Sequence, residues 1–316
     1  MRRDVGVTVF RGIDEVPSGF GPSAVTIGVF DGVHRGHQAL MRTVVERAHE
    51  ASAQAVVVTF DRHPLEVIAP GREPRLITTL PQRARLMGAL GIDAVVVLQF
   101  DEKFRLLSPE EFVRQVLIDA LGCVHVVVGA NFRFGHDQAG TIETLSDLGR
   151  AYDFRTTIFA LQMGGEADVV SSSMIRKHLT EGLVERVAEE LDRPFRVEGV
   201  VERGAGRGKG LGVPTANLRI PERIITPKLG VYAGWMWWRG DRYPVVMNIG
   251  VNPTFGDRTT PVLEVHVLDF DQDLYGEIVE IEFTHRLRDE QRFPSVDELI
   301  AQMKADIVRA RGFLGA

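Results

Sequence analysis

The residues best suited to take part in a reaction lie in one short stretch, 28–37, which reads GVFDGVHRGH. Two histidines, His34 and His37, stand three residues apart where a short apolar run passes into a helical pattern. The first N–H groups of a helix lack partners and its dipole is positive there, so this end attracts phosphate. Imidazoles at that point can donate hydrogen bonds to phosphate oxygens as charge develops on them. We therefore interpret the stretch as a phosphate site rather than as a turn with two solvated histidines.

A second candidate phosphate site lies at residues 170–177, VSSSMIRK, where three serines precede Arg176 and Lys177. We expect the two cations to fall in the first turn of a helix, where its dipole disfavours positive charge. A bound anion would resolve that conflict, and together with the histidine turn it would give a two-sided clamp for a polyphosphate. Serines also cap helices routinely, so simple capping remains the alternative.

The segment 204–217, GAGRGKGLGVPTAN, combines five glycines with two cations. It fits neither the Walker A nor the dinucleotide glycine pattern, although a glycine-rich backbone with Lys209 can still wrap phosphates. Thr215 and Asn217 are two residues apart, so their oxygens share one face if the chain is extended. Mg²⁺ accepts such oxygens alongside those of phosphate. The alternative is a flexible surface hairpin.

Glu264 lies in the alternating pattern 263–268, LEVHVL, and shares a face with His266. If that face is the interior of the fold, the carboxylate is a candidate general base. If the face meets water, Glu264 is only a surface residue. Periodicity alone does not decide between the two.

The first half of the chain alternates apolar runs with segments of helical period, which predicts a parallel sheet covered on both faces. The predicted strands are 24–29, 55–60, 94–99, 124–129 and 156–160. Ligands bind at the carboxyl ends of such strands. The loops 28–37, 59–64 and 129–135 follow three of these strands, and we expect them to share one rim.

The second half contains candidate strands without long helices between them, which predicts an antiparallel sheet or small barrel. These strands are 195–201, 231–238, 245–250, 262–268 and 278–283. A terminal helix should follow with Ser295 as its N-cap. The change of pattern falls within 182–194, and we place the domains at 1–187 and 188–316.

Composition limits the function classes. A length of 316 residues favours about two domains, and the net charge of −6 argues against nucleic-acid binding as the main function. A single cysteine, Cys123, excludes a disulfide framework. Neither a signal peptide nor an apolar run of ~18 residues is visible, so we expect a cytoplasmic protein without a membrane partner. The sequence does not determine the oligomeric state, and a weak homo-oligomer is compatible with it.

Over nearly its whole length the chain resembles the bacterial bifunctional riboflavin kinase/FMN adenylyltransferases, also called FAD synthetases. The matching motifs are 28–37, 59–64, 129–135, 171–176, 199–217 with its Pro-Thr-Ala-Asn core, 248–255, Glu264, 268–270, 273–276 and 286–293. The resemblance implies an N-terminal Rossmann-like nucleotidyltransferase domain (α/β). It also implies a C-terminal antiparallel β-barrel with a terminal helix, which acts as the kinase.

In the kinase reaction implied by the resemblance, ATP gives its γ-phosphoryl group to the 5′-hydroxyl of riboflavin, making FMN. Thr215 and Asn217 would hold Mg²⁺, and Glu264 would take the hydroxyl proton. No covalent intermediate is needed, because positioning and charge stabilisation suffice in phosphoryl transfer.

In the implied adenylyltransferase reaction, the FMN phosphate attacks the α-phosphorus of a second ATP, giving FAD and pyrophosphate. His34 and His37 would stabilise the pentacoordinate phosphorus, Asn131 would position the substrate and Arg176 would bind phosphates. The resemblance also implies larger sets of contacts. Nucleotide would be bound by Gly28, Phe30, Asp31, Gly36, Ser171, Ser172, Gly208, Lys209 and Gly210. Substrate would be bound by His63, Pro64, Asn131, Arg288 and Arg292.

The chain departs from the family pattern at three places. Asp61-Arg62 stands where Glu-Pro is usual, Asn131 where many relatives have Asp, and Ser173-Met174 where Thr-Arg is common. The loss of that arginine would weaken phosphate binding.

Two other functions fit parts of the pattern. The chain could be a nucleotidyltransferase for another phosphorylated alcohol with the barrel as a passive specificity module, or the barrel could be a non-enzymatic flavin-binding module. Thr215, Asn217 and Glu264 discriminate between these readings, because a passive module needs no metal site and base together.

Overall fold

The computed structural model describes residues 6–160, 170–203, 213–251 and 261–316. The chain forms two compact units. The first comprises Met1–Pro74 and Thr79–Ser171, and the second comprises Arg75–Thr78 and Ser172–Ala316. Within the described ranges, no helix is both long and apolar enough to cross a membrane.

The first unit is built on a six-stranded parallel sheet with strand order β1-β4-β3-β2-β5-β6. The strands are β1 (Thr8–Phe10), β2 (Ser23–Ile27), β3 (Gln54–Phe60), β4 (Ala94–Leu98), β5 (Cys123–Gly129) and β6 (Arg155–Phe159). Successive valines of β3 belong to two hydrophobic cores, one on each face of the sheet. Val57 packs in one core, and Val56 and Val58 pack in the other. The predicted parallel sheet with two covered faces is confirmed, with β1 as an additional edge strand.

Helices cover both faces of this sheet. They are α1 (Arg35–Glu50), α2 (Leu65–Ile68), α3 (Leu80–Ala89), α4 (Glu102–Arg105), α5 (Pro109–Phe112) and α6 (Ile142–Tyr152). Ser108 caps α5 through a capping box with Glu111, and the helix continues in π geometry over Val113–Ala120. Met41 and Val44 of α1 pack on one face of the sheet, and Leu117 packs on the other.

The second unit is a closed six-stranded antiparallel barrel with order β10-β11-β8-β7-β12-β9, as predicted. Its elements are α7 (Ser172–Glu181), α8 (Val184–Leu191), β7 (Phe195–Glu202), β8 (Ala216–Arg219), β9 (Gly230–Trp238), β10 (Asp241–Val251), β11 (Pro261–Val267), β12 (Ile278–Arg288) and α9 (Val296–Leu314). Ser295 caps α9 by accepting a hydrogen bond from the N–H of Glu298. The β9–β10 hairpin turns at Arg239 and Gly240, whose φ angles are 51° and 91°.

The helix that carries Arg176 begins earlier than its sequence predicts. Ser172 is already its first residue, so Arg176 lies in the second turn and the expected first-turn conflict with the dipole is reduced. Lys177 forms an i,i+4 ion pair with Glu181 at 4.0 Å. Ser172 and Ser173 therefore lie in the first turn of the helix, and only Ser171 precedes it.

Candidate active sites

The strand order brings three polar loops to the same edge of the parallel sheet. In the sheet, β2 lies between β3 and β5. The strands that follow β2 in the chain, β3 and β4, extend the sheet on one side of β2, and β5 pairs with its other side. Such a switch point leaves a crevice at the carboxyl ends of the strands, where α/β sheets bind ligands. The loops after β2, β3 and β5 are those that carry His34, His63 and Asn131.

The two histidines of the first loop are held against each other at the start of α1. His34 is the N-cap residue, and its Nδ1 accepts a hydrogen bond from the backbone N–H of His37 at 3.4 Å. In neutral His34 the ring proton therefore resides on Nε2. The two imidazole rings stack with 3.6 Å between their centroids, and the Phe30 ring meets His37 edge-on at 5.1 Å.

His37 is an electrically neutral donor at pH 7. Burial lowers the pKa of His37 well below the usual 6.5, and the nearby His34 lowers it further. Its Nδ1 is buried and has no hydrogen-bond partner among the described residues. A neutral imidazole still offers one N–H, so the pair can donate hydrogen bonds to an anion that develops charge during a reaction.

The backbone of this loop is strained. Phe30 and Val33 have φ angles of 51° and 41°, a region that a β-branched residue rarely adopts. A Cβ at Gly28 would lie 2.9 Å from the Phe30 ring, so glycine is required for that ring to reach His37. Strain of this kind persists where the surrounding structure fixes it, and it is frequent at functional sites.

A buried arginine that sequence reasoning missed supports the loop from below. Arg83 of α3 is 3% exposed, and its Nη1 donates a hydrogen bond to the carbonyl oxygen of Val29 at 2.6 Å. The hydroxyl of Thr59 donates to the same oxygen at 3.3 Å. Burial lowers the pKa of Arg83, and the charge of the buried Asp31 opposes that shift. Asp31 and Arg83 thus place opposite charges beneath the histidine turn.

The helical spacing around Arg83 could have indicated its burial. It stands three residues after Leu80 and four before Met87, on the face of α3 that packs on the sheet. A charged residue at such a core-facing position is unusual unless its charge is paired.

The other predicted residues of the first unit lie around the same rim. Asn131 is exposed and is the second residue after the end of β5. His63 is half-buried, and its Nδ1 accepts a hydrogen bond from the N–H of Leu65 at 3.2 Å. Pro64 is the N-cap of α2, and Gly36 is a buried residue in the first turn of α1.

The departure at position 61 has a structural role. The carboxylate of Asp61 accepts a hydrogen bond from the N–H of Phe100 at 2.9 Å and forms an ion pair with Arg62 at 2.8 Å. Asp61 thereby ties the loop after β3 to the loop after β4.

In the second unit, strand register aligns three polar side chains across the barrel wall. Asn217 of β8 is directly opposite Glu264 of β11, and Glu264 is directly opposite Asn248 of β10. Leu263 and Val265 are buried in the barrel, so the row of Asn217, Glu264 and Asn248 lies on the outer face. All three are nevertheless half-buried. Glu264 is therefore neither in the barrel interior nor fully exposed to water.

The segment before β8 is anchored to this face. His266 of β11 shares the face with Glu264, and its Nδ1 lies 2.7 Å from the carbonyl oxygen of Pro214. Thr215 follows directly, two residues before Asn217. In the described parts of the chain, no group of three or more His, Cys, Asp or Glu side chains could hold a metal ion. Gly208, Lys209 and Gly210 lie outside the described residues.

Three predicted arginines have different surroundings. Arg288 donates hydrogen bonds to the buried carboxylate of Asp306 in α9, from Nε at 2.9 Å and from Nη2 at 2.8 Å. Arg292 is exposed. Arg176 donates from Nε to the carbonyl oxygen of Arg75 at 2.6 Å, and both residues belong to the second unit. The guanidinium of Arg288 is thus engaged in fixing α9 to the barrel.

Comparisons with known proteins match the two parts of the chain to two families. Residues 18–174 match the FAD synthetase family and residues 191–314 match the riboflavin kinase family. A bifunctional riboflavin kinase/FMN adenylyltransferase of Listeria monocytogenes is 37% identical over 92% of this chain and 91% of its own. The protein of the same description from Pseudomonas fluorescens is 39% identical over 90% and 91%. The chain belongs to this bifunctional family.

A solved structure matches the fold of this chain over nearly its whole length. A crystal structure described as a macrolide-efflux protein from Streptococcus pneumoniae has a TM-score of 0.86 and 31% identity, and the match covers 96% of this chain and 98% of that one. The description of that structure names a different activity. The two family matches and the sequence relatives agree with one another in naming riboflavin kinase and FMN adenylyltransferase or FAD synthetase.

Proposed function

We propose that this enzyme phosphorylates riboflavin to FMN with ATP and then joins FMN to the adenylyl group of a second ATP, forming FAD and releasing pyrophosphate. The observation that carries the proposal is the presence of two separate constellations in one chain. The stacked His34/His37 pair lies at the sheet edge of the first unit. The row of Asn217 and Glu264 lies on the barrel of the second.

In the kinase step, the oxygen of the riboflavin 5′-hydroxyl attacks the γ-phosphorus of ATP, and ADP leaves. Glu264 accepts the hydroxyl proton, because its half-buried carboxylate lies opposite Asn217 on the same face. A positioned carboxylate base contributes ~10²–10⁴-fold to such a step. His266 supports it by fixing the backbone that leads into Thr215.

Thr215 and Asn217 are the residues that would hold Mg²⁺. They offer neutral oxygens two residues apart, and Mg²⁺ is commonly held by few protein oxygens together with substrate phosphates and water. When bound, the ion neutralises charge on the phosphates of ATP. The donor set beside Glu264 fits this hard cation, and no step requires the protein to supply further ligands.

In the adenylyltransferase step, an oxygen of the FMN phosphate attacks the α-phosphorus of ATP. The bond from that phosphorus to the bridging oxygen breaks, and pyrophosphate leaves. His34 and His37 donate N–H groups to the α-phosphate oxygens as negative charge builds up on them. Helix α1 adds its N-terminal dipole at the same point. Asn131 is proposed to position a substrate from the loop after β5, the strand beside β2 in the sheet.

Several assignments remain predictions within this proposal. The domains are taken as 1–187 for adenylyl transfer and 188–316 for the kinase, in line with the two family matches. Arg176, Ser171 and Ser172 are proposed to bind phosphates, and Arg292 to contact the flavin. We assign Arg288 to holding α9 in place, because its guanidinium is bound to Asp306. A cytoplasmic location is expected because both steps consume ATP.

The test is a product analysis. The purified chain is incubated with riboflavin, ATP and Mg²⁺, and the flavins are separated by chromatography over time. We expect FMN to appear first and FAD to follow. FAD formation from supplied FMN without FMN formation from riboflavin would leave only the nucleotidyltransferase, with the barrel as a passive module.

A further inference from the structure

Asn248 occupies the next strand position beside the proposed catalytic base. It lies directly opposite Glu264 across β10 and β11, and Val231 of β9 lies opposite it on the other side. Val231 is packed under α9 with Ala310. Asn248 therefore lies between the apolar surface covered by α9 and the polar row that contains Glu264.

One polar atom of the Asn248 carboxamide is buried without a partner in the described parts of the chain. Its Oδ1 is buried and has no hydrogen-bond partner among the described residues. A buried carbonyl oxygen without a donor is costly, and native structures rarely keep one outside a functional site. This oxygen lies on the same face as Glu264, where a hydroxyl donor from a substrate could reach it.

The two ends of the Asn248 carboxamide have different surroundings. A Cβ at Gly250 would overlap the carboxylate of Glu290, and the Asn248 Nδ2 is 3.1 Å from the same point. The NH₂ group thus lies on the Gly250 side, near the Glu290 carboxylate, whose negative charge attracts it without a direct hydrogen bond. Gly250 is small because the Glu290 side chain lies over it. This arrangement leaves Oδ1 as the free acceptor.

We propose that Asn248 binds a second hydroxyl of the polyhydroxylated substrate chain, next to the hydroxyl that Glu264 deprotonates, with Glu290 as the residue that orients it. The inference rests on the proposed kinase function and names a specificity contact for it. Asn248 then selects for a hydroxylated chain, because an analogue without the hydroxyl leaves the buried Oδ1 unpaired.

The test compares two substrates on each variant. One is riboflavin, and the other is a flavin whose ribityl chain is replaced by 5-hydroxypentyl, which keeps the reacting hydroxyl and lacks the others. The ratio of their kcat/KM values cancels any loss of folded enzyme. We expect Asn248→Ala to lower the preference for riboflavin by about tenfold, the size of one buried hydrogen bond. Glu290→Gln, at an exposed residue, should lower it by a smaller factor.

Glu280→Gln on β12 is the matched control, since it also lies on the outer face of the barrel but pairs with Arg196. It should leave the preference unchanged. An unchanged preference in both Asn248→Ala and Glu290→Gln would overturn the proposal. If Asn248→Ala fails to fold, Glu290→Gln alone decides. A wild-type enzyme that phosphorylates neither flavin would instead overturn the kinase function itself.

Discussion

The rings of His34 and His37 stack at 3.6 Å, with the first accepting a hydrogen bond from the backbone of the second. This contact disfavours a positive charge on His37, whose pKa is already lowered by burial. His37 is therefore held neutral before substrate arrives, and its N–H group is available for charge that appears only in the transition state.

Stability should depend on pH through His37. Its pKa in the folded protein is below the ordinary 6.5, so below pH 6.5 the unfolded chain binds more protons than the folded one. The free energy of unfolding should fall as the pH is lowered from 6.5 to the folded pKa and should be flat above 6.5. Urea unfolding of the full chain from pH 5 to 8 measures this.

His37→Gln is the comparison for that measurement. We expect the variant to show a shallower slope below pH 6.5, with the remainder due partly to His125, whose pKa burial also lowers. Identical slopes in the two proteins would show that His37 is not held neutral by the fold.

Removing the charge of Arg83 should impair FAD synthesis selectively. Arg83→Met takes away the donor to Val29 and the positive charge near Asp31, so the strained turn loses its support. Misplacement of the histidines by ~1 Å would cost about 100-fold in the turnover of FMN to FAD. Arg83→Lys keeps the charge and should recover part of the activity.

Two controls accompany the Arg83 variants. Arg85→Met on the same helix removes an exposed arginine and should leave both activities near wild type. FMN formation from riboflavin should survive in Arg83→Met. Near wild-type FAD synthesis by a folded Arg83→Met protein would show that the buried charge does not support the site.

The start of the kinase domain can be tested by truncation. A fragment of 188–316 divides α8, in which Val184 and Val187 are fully buried. The N–H of Arg286 also donates to Glu185 at 2.9 Å. Each buried valine contributes roughly 1.5–3 kcal/mol, so the fragment 170–316 should melt at a clearly higher temperature than 188–316. Equal melting temperatures and kinase activities would place the domain start at 188.

Much of the architecture could be predicted from the sequence because it depends on local patterns. Buried valine runs such as 94–98 and the capping box at Ser108 indicate their elements directly. Two short strands were missed. β1 is a three-residue edge strand, and β8 has four residues after a glycine-rich segment, so neither carries a periodic pattern of useful length.

The missing part of each site depends on contacts between distant segments. Asn248 meets Glu264 only through the register of β10 with β11, and register is set by pairing across the whole barrel. Arg83 reaches the histidine turn because α3 and α1 pack on the same core, which joins segments that are distant in the sequence. His34, His37 and Glu264 could be predicted from the sequence, whereas these neighbours could not.

The most direct test of the account is a complementation assay with two variants of the full chain, followed by chromatography of the flavins. His37→Ala should convert riboflavin to FMN and stop there, because the transition-state donors lie in the first unit. Glu264→Gln should leave riboflavin unchanged and still convert supplied FMN to FAD. A mixture of the two proteins should make FAD from riboflavin. If either variant loses both activities while folded, or if Glu264→Gln phosphorylates riboflavin at the wild-type rate, the assignment of one reaction to each constellation is contradicted.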